Sequence, residues 1–439
     1  MTRKKLPVVT VAEREEAARL ADLPAEATVA MADVAGAIKE GLLAFSCAAG
    51  LVVMAQLMEE ELTTKVGPKG RHDSERRATR NGTAPGSVAL GGRTVAVRRP
   101  RAVRTNGGEV NLDTYAVFSS TDLLSSLAVE RMLAGVATRR HALVAEPIGA
   151  GLEHKARGTS RSAVSRRFKA ATETALAELL SRDLSELDVA VLMIDGIVFV
   201  DCCVVVALAV TADGTKVPVG IWDGDTENKV VVTDLLADLV GRGLGYEGGL
   251  LVVIDGAKAL TAGVRKVFGD RALVQRCVLH KRRNVKGYLP DELGRTIDRR
   301  LARAFNDTDP GRGLKVAQGI ARQLEADHPS AAASLREGLE EMFTVRRLGV
   351  GDRLARSLSC TNSIESAISV VQGLTGRVKN WKDTKMVRRW VGVGLLEAER
   401  SFRRVKGCKD MPALVAAMRA QVARRRADER AQQAHRAVA

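Results

Sequence analysis

The chain has 439 residues, room for about three domains at ordinary domain sizes, and 46% of them are hydrophobic, as a sizeable core requires. Only 3% are aromatic, so that core must be built mainly from Leu, Val, Ile and Ala. Lys and Arg outnumber Asp and Glu by 68 to 52, and a net charge of +16 suits a polyanionic partner. Nucleic acid is expected rather than membrane, because no apolar run approaches the ~20 residues of a spanning helix. The opening Met-Thr-Arg-Lys-Lys lacks the apolar core of a signal peptide. Cys47, Cys202, Cys203, Cys277, Cys360 and Cys408 are too scattered for a disulfide scaffold, so a reducing cytoplasm is expected.

Residues 1 to about 65 space their apolar side chains as a helix does, for example Val34, Ile38, Leu42 and Phe45. From Gly67 to Arg104 the composition shifts to Gly, Thr, Val and Arg. Within it, Val88–Leu90 and Thr94–Val97 flank a Gly91-Gly92 turn and predict a hairpin over Ser87–Arg99. Its basic end, with Arg98, Arg99, Arg101 and Arg104, reads either as a solvated strand edge or as a phosphate-contacting arm. A helical stretch is expected over about 121–148. After it, Thr159 or Ser160 caps a helix bearing Arg161, Arg166 and Arg167 on its polar side. Together with a helix near Thr138–Val144 this makes a helix-turn-helix-like segment with a long turn, about 130–170; a plain surface helix is the alternative.

Residues 189–280 alternate cleanly. Strands are predicted at Ala190–Val200, Val204–Thr211, Val217–Trp222, Leu250–Ile254 and Ala272–Cys277. Helices are predicted at Glu227–Arg242 and Leu260–Phe268. Three strands in succession, then strand–helix alternation, imply a mixed sheet covered by helices. Residues 281–350 are helical and charged, broken at Pro290, Pro310 and Pro329. A further helix should begin near Thr361 or Asn362 and carry Glu365, and a basic helix runs from Pro412 through Arg424 and Arg426.

Two apolar runs each end in Asp-Gly, at Asp195-Gly196 and Asp255-Gly256. A carboxylate at the end of a buried strand costs several kcal/mol unless something positive receives it. Asp195 and Asp255 on neighbouring strands, joined by Glu365, offer the oxygen ligands that Mg²⁺ or Mn²⁺ prefers, and two such ions serve phosphoryl transfer. A structural part in the Asp-Gly turns is the competing reading for each aspartate alone. Cys277 and His280 have zinc-type spacing, but zinc needs four ligands, or three and water, and only Cys202-Cys203 could add to them. A polar pair beside the acids, followed by the basic stretch Lys281-Arg282-Arg283-Asn284, fits better. Gly243-Leu-Gly-Tyr-Glu-Gly248 precedes a strand instead of following one, so it is no dinucleotide fingerprint. Phosphate-binding loops, nucleophile elbows and His-Glu-x-x-His are absent, and no nucleotide cofactor is expected.

The stretches Leu250–Leu260, Gln275–Asn284, Thr361–Glu365 and Gly220–Asn228, in that family's order, resemble the Mutator-type transposases of bacterial insertion sequences. The likeness runs from Arg80-Asn81-Gly82 to about Ala417. It implies a ribonuclease H-like α/β core, a mixed sheet flanked by helices, with an all-helical insertion and a mostly helical N-terminal DNA-binding region. The implied divisions are 1–185 for DNA binding, 186–280 and 356–410 for the core, 281–355 for the insertion and 411–439 for the tail. The resemblance places the catalytic, metal-holding acids at Asp195, Asp255 and Glu365, with two Mg²⁺ (or Mn²⁺) ions. It matches Cys277 and His280 to the pair after the fifth strand, and Arg377 and Lys379 to basic positions beyond the glutamate. The segment Ser160–Phe168 resembles the family's DNA-binding helix, although Ala163 stands before Val164 and the preceding turn is long. Expected partners are double-stranded DNA, as terminal inverted repeats and target, and a second copy of the chain when DNA is bound. The expected location is the bacterial cytoplasm, at the nucleoid. Two rival readings are a decayed copy that binds DNA without cutting it and a ribonuclease H-like nuclease.

Overall fold

The computed structural model describes residues 41–71, 76–120, 122–199, 202–224 and 228–438, without the side chains of 429–438. The helical pattern expected around Val34 and Ile38 lies outside them, as do residues 225–227 of one family-like stretch. The chain forms two compact units, Met1–Ala171 and Thr172–Ala439.

In the first unit, helix α1 (Leu42–Val66) precedes a long ribbon of β1 (Ala78–Leu90) and β2 (Arg93–Arg104). Both strands run well beyond the predicted hairpin. Gly91 and Gly92 make its turn at φ +55 and +72, a left-handed pair that suits the twist of a two-residue hairpin. The pairing slips between Arg80 and Thr83, where Gly82 also has positive φ. Met58, Leu62 and Val66 pack with Ala78, Ala102, Val110 and Leu112 as this unit's main core.

Helix α1 corrects the expectation that no segment could span a bilayer: by length and composition it is long and apolar enough. Its small residues, among them Ala44, Cys47, Ala48 and Gly50, dilute the apolar signal to the eye. Its C-terminal half is tied to the protein. Glu59 pairs with Arg80, Glu61 accepts from the backbone of Asp113 and Thr114, and Lys65 pairs with Asp113.

Downstream come α2 (Asp113–Ser119), α3 (Asp122–Leu133), the short α4 (Ala150–Glu153) and β3 (Ala156–Arg157), which extends the ribbon beside β2. The helix expected through residue 148 stops at Leu133; Gly135 at φ +92 follows. Thr138–Arg140 is one 3₁₀ turn, so the predicted first helix of a helix-turn-helix does not form. The capped helix does form, as α5 (Arg161–Ser181), with Ser160 Oγ accepting from Ala163 N at 3.3 Å.

The second unit is built on β4 (Val189–Val198), β5 (Cys203–Thr211), β6 (Lys216–Gly224), β7 (Leu250–Ile254) and β8 (Ala272–Arg276). Their order is β6-β5-β4-β7-β8, antiparallel on the β6 side and parallel from β4 to β8. This is the mixed α/β sheet expected from the element order. Side chains alternate between two apolar faces. Leu192, Ile194 and Val252 meet α6 (Lys229–Gly241) and α7 (Lys258–Phe268) through Leu235, Leu236, Leu239 and Phe268. Val191, Met193, Leu251 and Val253 share the other core with Ile364 and Ala367 of α14 (Asn362–Thr375) and Val391 and Leu395 of α15 (Thr384–Arg400).

Between the sheet and α14 lie α8 (Val278–Gly287), α9 (Asp291–Phe305), α10 (Pro310–Leu324), α11 (Pro329–Arg336), α12 (Thr344–Arg347) and α13 (Asp352–Leu358). The three prolines that read as breaks sit at helix starts, where the missing N–H costs nothing. Helices α8 to α11 close on their own core of Ile297, Leu301, Phe305, Ala317, Leu335 and Phe343, while Val345 of α12 and Leu354 and Leu358 of α13 join the sheet core. The chain then returns through α14 (Asn362–Thr375) and α15 (Thr384–Arg400) to a last helix, α16 (Met411–Val438).

Candidate active site

The alternation of β4 and β7 decides where the first two acids point. Asp195 has the parity of Val191 and Met193, and Asp255 that of Leu251 and Val253, so both take the face covered by α14. The parallel register pairs Val191 with Leu251 and Met193 with Val253; carried two residues further, it sets Asp195 beside Asp255. Asp195 Oδ1 accepts from Gly196 N at 2.9 Å, and Asp255 Oδ1 accepts from Ala257 N at 2.7 Å. Gly256, at φ +102, makes the sharp turn between them possible, and a side chain there would press on Arg276.

Burial, followed by the charges of Asp255 and Glu365, pushes the Asp195 carboxyl up to about 6. The hydrogen bond from Gly196 and the charge of His280 oppose that rise. Such a carboxylate is short of positive charge, and its surroundings of further carboxylates fit an oxygen-seeking divalent cation.

Cys277 follows β8 directly, its N–H donating to Ile254 O at 2.8 Å, and His280 lies in the first turn of α8. Thr361, fully buried, stands at the N-cap position of α14 one turn ahead of Glu365, its hydroxyl making no capping bond to the backbone. Its hydroxyl lies 2.5 Å from Glu365 Oε1, 3.2 Å from Cys277 Sγ and 3.4 Å from His280 Nδ1. One hydroxyl proton serves one acceptor at a time, and the carboxylate is the nearest and the most strongly charged. His280 Nε2 stands 3.8 Å from the same Glu365 oxygen. The hydrogen bond with Cys277 raises His280 to about 9 against its burial, with the charges of Cys277, Glu365 and Asp195 adding to the rise. Burial alone would lift the Cys277 thiol, but its hydrogen bonds with His280 and Thr361 outweigh that and hold it below its ordinary value.

Among the described residues, Cys277, His280 and Glu365 are also the side chains whose ligand atoms crowd together, within 4.8 Å of one another. Cys202 and Cys203, the other candidates for a zinc set, are not in that group. The Thr361 hydroxyl, within reach of all three, makes the group a hydrogen-bonded cluster.

The family profile described as Transposase, Mutator family, matches residues 28–404, most of the chain. The chain belongs to that family. Among curated proteins, it is similar to the transposase for insertion sequence element IS6120 of Mycolicibacterium smegmatis. That match is 31% identical over 198 residues, 44% of this chain and 60% of the relative. The transposase for element IST2 of Acidithiobacillus ferrooxidans is 28% identical over 203 residues, 44% of this chain and 67% of that one. The transposase for element ISRM3 of Rhizobium meliloti is 29% identical over 164 residues, 37% of this chain and 40% of that one. The chain thus spans less than two thirds of the first of these relatives.

The basic positions of this Mutator-family chain divide by what they touch. Arg98, Arg161, Arg166, Arg283, Arg377 and Lys379 are exposed. Arg99 and Arg101 share Glu109, and Arg99 also lies over the Tyr115 ring. Arg167 donates to Gly158 O, and Arg282 grips Asp298 with two hydrogen bonds. Lys281 is buried, its ammonium donating to Ser334 O. Sequence reasoning missed three supports. Thr361 is expected from the residues only as the start of its helix. Gln275 and Arg276, both buried, tie β8 to the helical segment, Gln275 through Met342 O and Val345 N, Arg276 through Glu341. Arg276 also donates to Gly256 O at 3.2 Å, beside Asp255. Their signal was two long polar side chains inside an otherwise apolar strand.

Proposed function

We propose that the protein is a transposase of an insertion sequence, cutting DNA at the element's ends and joining them to target DNA by metal-dependent chemistry. The observation that carries the reading is the Asp195 carboxylate, set beside Asp255 by the strand register and raised by burial and then by the charges of Asp255 and Glu365, in a chain of net charge +16. The sheet order, with three antiparallel strands and then two parallel ones, supports a ribonuclease H-like core. The insertion-sequence relatives support the same activity.

In this reading Asp195, Asp255 and Glu365 hold two Mg²⁺ or Mn²⁺ ions. Ions held by these residues would supply positive charge to an attacking oxygen and to a leaving one. The protein orients the ligands: backbone N–H groups fix the two aspartates, and Thr361 fixes Glu365. His280 offers an N–H toward a scissile phosphate or its leaving oxygen. Arg98, Arg161, Arg166, Arg283, Arg377 and Lys379 are the positions exposed to DNA phosphates. Two ends held at once call for two copies of the chain.

The test is cleavage and strand transfer on DNA carrying the element's own ends, with Mg²⁺, with EDTA, and with Asp255→Ala. Metal-dependent cutting and joining, lost in the variant, is the expected result. Tight end binding with no cleavage in any metal would make it a binding protein, and equal activity on RNA–DNA hybrids would make it a nuclease.

A further inference from the structure

Helix α8 starts at the site and leads away from it. Lys281 and Val285 form its buried side, while His280, Arg283, Asn284 and Gly287 share the opposite one. At ~1.5 Å per residue, Arg283 lies about 4–5 Å and Tyr288 about 12 Å along the axis from His280. Arg283, Asn284 and Tyr288 form one wall of an open groove of about 770 Å³, and Ser334 and Glu337 lie on the other. That volume accommodates a small organic ligand the size of a nucleotide.

The groove's chemistry is selective. Tyr288 is 57% exposed, in a chain with three tyrosines, so its ring face is available for stacking. Its hydroxyl has no hydrogen-bond partner among the described residues. Arg283 likewise has no ion pair there. The carboxylate of Glu337 is already balanced by Arg276 at 3.7 Å and Lys281 at 3.9 Å, which leaves the charge of Arg283 uncompensated. A free guanidinium and an amide one turn along α8 from His280, with an exposed phenol ring beyond them, match a phosphate, a base edge and a base face in turn.

We infer that this groove takes an unpaired nucleotide of the DNA strand beside the cleavage position, its base stacked on Tyr288 and its phosphate on Arg283. The assignment rests on the proposed DNA-cutting reading. An unpaired nucleotide is specified because a base within a duplex has no free face to offer an aromatic ring.

The test uses the whole chain with short single-stranded oligonucleotides carrying 2-aminopurine, in EDTA so that no cutting occurs. Stacking on Tyr288 quenches the fluorophore. Tyr288→Ala should abolish the quench and weaken binding about tenfold, and Tyr288→Phe should keep both. Arg283→Ala should lower the salt dependence by about 0.7 in the log–log slope. Unchanged melting temperatures would show that both variants fold. A quench and affinity indifferent to Tyr288→Ala, or a parent protein that binds no single strand, would overturn the groove. A parent that shows the Tyr288-dependent quench yet cuts no end DNA would instead sink the transposase reading and leave the groove standing.

Discussion

The three acids are held in two different ways. Asp195 and Asp255 sit on β4 and just past β7, strands paired in parallel, and each carboxylate is steered by the N–H of a residue next to it or two beyond. Glu365 is steered by side chains: the Thr361 hydroxyl, with His280 and Cys277 behind it. An acid fixed by backbone moves only if the sheet moves. An acid fixed by a hydroxyl can be released by a single substitution that leaves the fold intact. In the proposed metal site the aspartates would therefore form a rigid base, and Glu365 the adjustable third acid.

The largest expected effect tests the rigid side. Asp195→Asn should reduce metal-dependent end cleavage by at least ~10³-fold, since one ligand of the proposed two-ion site is gone. DNA binding should persist, read by gel shift. The same substitution should stabilise the metal-free protein at neutral pH. The Asp195 carboxyl is raised in the fold, to about 6 from 3.8, so the fold holds that proton more tightly than the unfolded chain does. Its contribution to stability is present at low pH and lost as pH rises from about 4 through about 6, a difference of roughly 3 kcal/mol. Metal-free melting of parent and variant from pH 4 to 7.5 should diverge in that window; parallel curves would contradict it.

Thr361→Val tests the adjustable side. It removes the hydroxyl and keeps the shape, so cleavage should fall about 10–100-fold and the Mg²⁺ needed for half-maximal rate should rise. Thr361→Ser should restore most of both. If Val and Ser behave alike, the hydroxyl does not position Glu365.

Arg276→Met asks whether the rigid side also depends on the helical segment. It breaks the buried pairing with Glu341 and the bond to Gly256 O, leaving Glu341 without its closest partner. Stability should fall by about 3 kcal/mol, and cleavage by a few-fold at temperatures where the variant is folded. The smallest effect is expected outside both regions. Arg98→Ala, on the exposed ribbon, should leave the metal requirement alone and lower the salt slope of DNA binding by about one.

Much of this was readable from the residues. The strand at Leu250–Ile254 falls where its apolar run predicts, and the Gly-Gly hairpin, the capped helix at Ser160 and the mixed sheet follow from local signals. Those signals are local because alternation, capping and turn chemistry act within a few residues. Where the local signal was ambiguous, prediction went astray. Thr138–Val144 has helical spacing but follows Gly135, and α1 hides its length behind small residues.

The sequence by itself determined which side chains could do chemistry, since a lone carboxylate after a buried run needs a reason wherever it occurs. It also determined their parity along each strand. Only the tertiary structure decided that both aspartates face α14, because the choice of face depends on which helix returns to cover it, more than a hundred residues later in the chain. The same closure placed Thr361 among Cys277, His280 and Glu365 and turned Lys281 and Arg282 inward. A charge near a site in sequence reaches solvent only if no partner meets it first, and those partners, Ser334 and Asp298, come from other turns of the fold.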